Sequence, residues 1–343
     1  MSNSEITLSK IPSGESLCDK KVLITGAAGF IGSHLCEELV RQGARVKALV
    51  RYNSAQFYGH LESVEKEVYD AIEILSGDVR DPYFVGTAVT GCDVVFHLAA
   101  LIAIPYSYHA PKSYVDTNVS GTLNVLQSCL SHGVARVVHT STSEVYGTAQ
   151  YTPIDEKHPL QGQSPYSATK IGADKLAESF YLSFRLPVIT IRPFNCYGPR
   201  QSARAFIPAM VSQALTEDTV RCGSLSPMRD YTYVKDTVAG FIACGSVHGV
   251  EGMTINVGSG SEISMGDLLT RIMERMGVRK DIVQESQRIR PAGSEVMELI
   301  CDNTLAAEIL GWKPRYTLDE GLDAVIEYMK RNMSAYKTRD YVL

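Results

Sequence analysis

Residues Lys21 to Thr25 (KVLIT) form a short apolar run that meets a glycine-rich turn, and an amphipathic stretch from Ile31 to Gln42 follows, ended by Gly43. Arg45 to Val50 (RVKALV) is apolar again, so the segment predicts a β-α-β unit. The alternation continues, with strands expected over Ile72 to Ser76, Asp93 to His97, Arg136 to Ser141 and Val188 to Arg192. Between them the periodicity predicts helices over Pro82 to Thr90, Ser113 to His132 and Tyr166 to Phe184. Strands alternating with helices predict an α/β fold with a doubly wound parallel sheet covered on both faces. After Pro193 the rhythm weakens, and helices are expected near Ala205 to Leu215, Met265 to Met276, Asn303 to Leu310 and Leu318 to Arg331.

Composition narrows the classes. The net charge of -5 and the lack of any Lys/Arg-rich run argue against nucleic acid as a partner. No apolar run reaches membrane-spanning length, and the leader MSNSEITLSKIPSGESLCDK is polar rather than signal-like, so a cytoplasmic protein without a membrane partner is expected. The eight cysteines stand singly at 18, 36, 92, 129, 196, 222, 244 and 301, with no CxxC pair and no histidine at metal-ligand spacing. That spacing predicts reduced, packed thiols and no metal site.

Gly26, Gly29 and Gly32, at spacings of three and three, fall directly after a strand and before a helix, with Phe30 and Ile31 between the last two. Such a turn lets the backbone approach a pyrophosphate at a helix N-terminus, which predicts a Rossmann dinucleotide site. The chain then divides into a polar extension (1–20), a dinucleotide-binding Rossmann domain (21–192) and a remainder (193–343) that is mainly a smaller substrate-binding lobe. Segments near 229–257 are expected to return to the Rossmann domain. Nineteen residues past Gly32 stands Arg51, where a site for NAD usually carries an acid; an arginine there favours the 2'-phosphate of NADP, with NAD still possible. Asp78 and Val79 at the third strand end, and Leu98, Ala99 and Ala100 after the fourth, are candidate cofactor contacts.

Tyr166 and Lys170 are four apart on one helix face, an arrangement in which a lysine favours the phenolate that a base for an alcohol requires. The stretch HTSTSEVYG (139–147) adds Thr142, Ser143 and a carboxylate, Glu144, at a strand end. Alternation along an extended strand would turn Thr142 and Glu144 the same way.

The motifs TGAAGFIG, HLAA, DTNVSGTLNVL, STSEVYG, YSATK, RPFNCYG, RDYTYVKD and NVGSG run from Lys21 to about Arg331. Together they resemble the extended short-chain dehydrogenase/reductases, specifically their nucleotide-sugar epimerase/dehydratase branch. The resemblance implies that Tyr166 and Lys170 are the catalytic pair, that they also touch the cofactor, and that Thr142 binds the sugar 4-hydroxyl. It also implies that Asn195, Arg229 and Arg290 bind the nucleotide diphosphate, and that Glu295 contacts a ribose. In the branch's 4,6-dehydratases a Glu occupies the position of Glu144 and removes the C5 proton once C4 is a ketone. Many of them carry Asp where this chain has Ser143, which leaves the acid for the departing C6 hydroxyl open.

The wording around LIAIPYSYHAPKSYVDTN and RPFNCYGPRQSARA is similar to the N-acetylglucosamine nucleotide 4,6-dehydratases of legionaminic acid synthesis. UDP and GDP both remain open as the nucleotide. A UDP-glucuronate decarboxylase, whose motif also reads Thr-Ser-Glu, ranks second but needs a cation near C6. A C4 epimerase, in which Glu144 would be idle, ranks third, and a non-catalytic dinucleotide sensor last. The family's habit also implies a homodimer through a four-helix bundle built from the helices expected at Ser113 to His132 and Tyr166 to Phe184.

Overall fold

A computed structural model describes residues 14–288, 293 and 295–336. Its central sheet has seven strands, all parallel: β1 (Lys21–Thr25), β2 (Arg45–Arg51), β3 (Glu73–Gly77), β4 (Val94–His97), β5 (Arg136–Thr140), β6 (Val188–Pro193) and β7 (Thr254–Val257). They lie in the order β7-β6-β5-β4-β1-β2-β3, so the direction of winding reverses beside β1. Crossover helices cover both faces, among them α1 (Phe30–Arg41), α2 (Pro82–Val89), α3 (Gly121–Ser131), α4 (Pro165–Phe184) and α5 (Val234–Ser246). Neighbouring residues of one strand feed opposite cores: Val22 and Ile24 pack into one cluster and Leu23 into the other. Burial on both faces is why these strands read as largely apolar runs.

Helix α4 is strongly specified. Ser164 and Ser167 form a reciprocal capping box, Pro165 takes the first turn, and Arg185 ends the helix in the left-handed conformation. The stretch read as one helix over Ser113 to His132 is instead interrupted. A short helix (Pro111–Tyr114) opens into a π turn at Val115–Ser120 before α3 begins. The cause is Asn118, whose side chain holds the backbone of Leu101 on both its amide and its carbonyl and also reaches the Thr169 hydroxyl.

After β6, short strands build three small sheets: Asn195–Tyr197 with Tyr231–Tyr233, Thr219–Cys222 with Asp281–Gln284, and Met228–Arg229 between Ile263–Ser264 and Glu298–Leu299. The chain re-enters the large sheet through α5 and β7, the edge strand beside β6. The register aligns Thr25, His97 and His139, at or next to the carboxyl ends of β1, β4 and β5, with Thr190 and Thr254 of β6 and β7. Apolar packing gives way there to a polar row, and the candidate site lies beyond it. All eight cysteines are unpaired; Cys18 is exposed, Cys196 half-buried and the other six buried.

The first glycine turn leaves no room for side chains. A Cβ on Gly32 would come within 2.3 Å of the Gly26 carbonyl oxygen and 2.9 Å of the Ala27 Cα. Gly32→Ala is therefore expected to cost about 1–3 kcal/mol of stability, because backbone rather than a flexible side chain must give way. Chemical denaturation of the variant beside the wild type measures it.

Candidate active site

The glycine turn, the ends of β4 and β5, the first turns of α4 and the loops after β6 enclose a cleft of about 860 Å3. At one end, Gly26 adopts φ +72°, and a Cβ there would lie 2.8 Å from the Ala99 amide nitrogen. Thr25 ties this approach, its Oγ1 accepting from the amides of Leu98 and Ala99 and meeting His97 Nδ1 at 2.8 Å. Gly29 caps α1 without any side-chain hydrogen bond, so the first amides of that helix face the cleft with no acceptor from the cap. Bare backbone at a helix N-terminus, with space where side chains would stand, fits a dinucleotide's pyrophosphate. Gly26, Gly29, Phe30, Ile31, Gly32, Arg51, Leu98 and Ala100 line the cleft.

Asp78 and Val79 do not. Asp78 is turned into a bidentate pair with Arg80, which holds its carboxyl below the ordinary value, and it borders a separate shallow depression. Val79 is buried against Gly121 of α3. Both lie outside the cleft because the chain turns away from the sheet edge immediately after β3.

At the other end stand Thr142, Ser143, Glu144, Tyr166 and Lys170. The strand alternation expected for Thr142 and Glu144 is absent: β5 stops at Thr140, and Ser143–Tyr146 is a 3-10 turn. Thr142 caps that turn, its Oγ1 accepting from the Glu144 amide at 3.2 Å. The two side chains reach one cleft because the turn curls them inward, not because a strand repeats every two residues.

Tyr166 is 7 % exposed and packs edge to face on Tyr114, with ring centres 6.3 Å apart. Burial raises its phenol above the ordinary value; the Thr142 hydroxyl lowers it in part, while the Glu144 charge raises it further. Lys170 donates from Nζ to the Thr140 carbonyl. Burial brings its ammonium down from 10.5 to about 8, and the charge of Asp174 opposes that fall. The spacing leads one to expect a lowered phenol; burial instead holds it above its ordinary value, and Lys170 is not among the groups that shift it.

The remaining candidates divide. Asn195 lines the cleft and donates to the Asp230 carbonyl oxygen. Arg229 and Glu295 also line it and pair with each other at 3.4 Å. Arg290 lies outside the described residues. Three side chains that the motifs did not mark belong here: Tyr114 against Tyr166, Arg204 on the cleft wall, and Asp174 beneath it. Only Asp174 had a visible signal, since it continues the Tyr166, Lys170 series by one more step of four. Among the described residues no cluster of His, Cys, Asp and Glu could hold a metal ion, and no helix is long and apolar enough to cross a membrane.

The model of the GDP-mannose 4,6-dehydratase family matches residues 23–325. The chain belongs to this family, and with it to the extended short-chain dehydrogenase/reductases of the epimerase/dehydratase type. It is 34% identical to a UDP-glucose 4-epimerase of Mycolicibacterium smegmatis over 90% of this chain and 98% of that one. With a dTDP-glucose 4,6-dehydratase of Streptomyces antibioticus the identity is 32% over 91% and 92%. The solved structure of MoeE5 in complex with UDP-glucuronic acid and NAD superposes with a TM-score of 0.81 at 32% identity, covering 91% of this chain and 99% of that one. MoeE5 holds NAD, so the lean toward NADP drawn from Arg51 finds no support in this family member. Both epimerases and dehydratases thus share the family's scaffold.

Because the Lys170 ammonium sits near 8, its positive charge is complete below that pH and lost as the pH rises through it. Turnover that depends on the charge is expected to fall on the alkaline side from about pH 8 rather than from 10.5, and a pH profile of kcat/KM, which reports the groups of the free enzyme, checks this.

Proposed function

We propose that the protein is a nucleotide-sugar 4,6-dehydratase acting on UDP- or GDP-N-acetylglucosamine, the substrate named by the resemblance of its motifs. The observation that carries the reading is Glu144, a carboxylate in the same cleft as Thr142 and Tyr166. A C4 epimerase moves one hydride away and back and has no use for that acid.

In this reading Thr142 holds the sugar 4-hydroxyl and Tyr166 takes its proton, with the Lys170 ammonium beside it stabilising the phenolate that does so. Gly26, Gly29 and Gly32 would hold a nicotinamide dinucleotide, which would supply the hydride chemistry that the C4 oxidation and the C6 reduction require. Once C4 is a ketone the C5 proton is acidic, and Glu144 removes it. The C6 hydroxyl leaves as water, taking one proton, and C5 regains a proton at the end, so the sugar loses one water overall. With Ser143 in place of an acid, Glu144 itself donates the proton to the leaving hydroxyl. Asn195 and Arg229 bind the nucleotide diphosphate, with Arg290, and Glu295 contacts the ribose. A homodimer through α3 and α4 accompanies the reading, since Leu130, Leu182 and Phe184 on these helices are exposed.

A second reading, decarboxylation of a UDP-glucuronate, is favoured by one observation. Arg204 supplies a cation in the cleft; burial raises the nearby Tyr114 phenol, and the Arg204 charge opposes that rise. The C6 carboxylate that this chemistry needs would find its partner there.

Incubation with UDP-GlcNAc, GDP-GlcNAc, UDP-glucose and UDP-glucuronate, with NAD or NADP, is followed by nucleotide-sugar mass in ordinary and heavy water. Loss of one water with deuterium at C5 is expected; loss of carbon dioxide from the glucuronate would replace the proposal by the second reading. Glu144→Gln is expected to lower dehydration by about 100-fold or more, the scale of a lost acid-base group. An unchanged rate in that variant would remove Glu144 from the mechanism.

A further inference from the structure

Asp174 lies one helical turn beyond Lys170 on α4 and is 5 % exposed. Its Oδ1 accepts from His139 Nε2 at 3.0 Å. Its Oδ2 accepts from Ser141 Oγ at 2.7 Å and from the Arg192 guanidinium, Nε at 3.3 Å and Nη2 at 3.0 Å. His139 and Ser141 flank Thr140, whose carbonyl accepts from Lys170 Nζ. One carboxylate thus grips the end of β5 on both sides of the group that holds the lysine. It is also the link between the helix carrying Tyr166 and the strand end leading into Thr142 and Glu144.

We propose that Asp174 is the positioning residue of this site: its carboxylate fixes residues 139–141, and with them the Thr140 carbonyl that seats the Lys170 ammonium, and it supplies the buried negative charge beside that ammonium. The inference rests on Tyr166 and Lys170 being the working pair of the proposed function. It extends that reading to a residue that touches neither sugar nor cofactor.

The surroundings leave few other sources of negative charge. The charge of Lys170 is felt by Asp174 on α4, His139 on β5 and His97 on β4, while Tyr166 and Glu144 line the same cleft and Arg192 on β6 pairs with Asp174. Burial holds both imidazoles below their ordinary values, and the Lys170 charge pushes the same way, so they are neutral at pH 7. His139 then donates from Nε2 to Asp174 and leaves its buried Nδ1 without a partner among the described residues. For Asp174 itself burial is the largest influence and would raise the carboxyl, but the His139 hydrogen bond and the charges of Arg192 and Lys170 carry it down to about 2. It is ionised at any working pH, and burial of Lys170 is opposed chiefly by this one anion.

The test is a titration of Lys170 in the unliganded full chain by NMR of 13Cε-labelled lysine, with Lys170→Arg identifying the resonance. In folded Asp174→Asn the Lys170 midpoint is expected to fall by about one pH unit or more, as loss of a close opposite charge requires. The alkaline limb of kcat/KM is expected to fall with it, with KM changing less than kcat. A folded Asp174→Asn that keeps the wild-type midpoint overturns the proposal, even if its melting temperature drops, because a merely structural residue would behave so. Should Asp174→Asn not fold, His139→Leu combined with Ser141→Ala removes both donors that the carboxylate holds on the strand and keeps the carboxylate. That double variant is expected to displace the Lys170 resonance and lower kcat by about tenfold, the scale of a misplaced catalytic group; a wild-type resonance overturns the clamp. The titration needs no substrate, so a protein that turns over no nucleotide sugar would sink the dehydratase reading while this one still stands or falls on the midpoint.

Discussion

A lysine ammonium that is 4 % exposed has lost most of its water, and the floor of the cleft is organised around that loss. The compensation comes from three directions: the Thr140 carbonyl as acceptor, Asp174 as countercharge, and two histidines kept neutral so that they add no positive charge. Arg192 brings a second cation to the same carboxylate, and its Nη1 also donates to Tyr146, whose phenol donates on to Asn256. A buried ionic group of this kind is weak evidence for stability and better evidence for a fixed geometry, since each partner has one arrangement that satisfies the rest.

Topology makes this arrangement possible. The order β6-β5-β4-β1 brings four strand ends to one edge, and the parallel register lines up Thr25, His97, His139 and Thr190. Residues between 42 and 72 positions apart therefore become neighbours without any long loop. The same edge is where the winding reverses, so the glycine turn after β1 and the 3-10 turn after β5 open onto one cleft. The two turns are set side by side by the scaffold, while the chemistry depends on which side chains they carry. That division explains how UDP-glucose 4-epimerases and dTDP-glucose 4,6-dehydratases can both be relatives of this chain at similar identity.

Much of the fold was legible in the chain. Apolar runs marked six of the seven strands to within a residue or two, because strands of a parallel sheet covered on both faces keep at least two apolar residues each even where a polar one intervenes, as in β2 and β3. The edge strand Thr254–Val257 and helix Val234–Ser246 were visible only as a segment expected to return, since Pro and Gly blur the pattern after β6. The long helix expected before β5 failed at Asn118, where a side chain competes for backbone groups that lie 17 residues away in sequence. Local periodicity carries no trace of such a bond.

The site followed the same division. Glycine spacing, the Tyr166 to Lys170 step and the acid in STSEVYG are local patterns, so the sequence by itself determined the family's scaffold and the candidate groups of its cleft. Only the tertiary structure decided that a 3-10 turn, rather than a strand, brings Thr142 and Glu144 together, that Asp78 points away, and that Arg204 and Tyr114 belong to the cleft. It also decided the electrostatics. Whether a phenol is raised or lowered depends on how much water burial removes and on charges contributed by four separate elements, quantities that exist only once strands 4, 5 and 6 and helix α4 have packed.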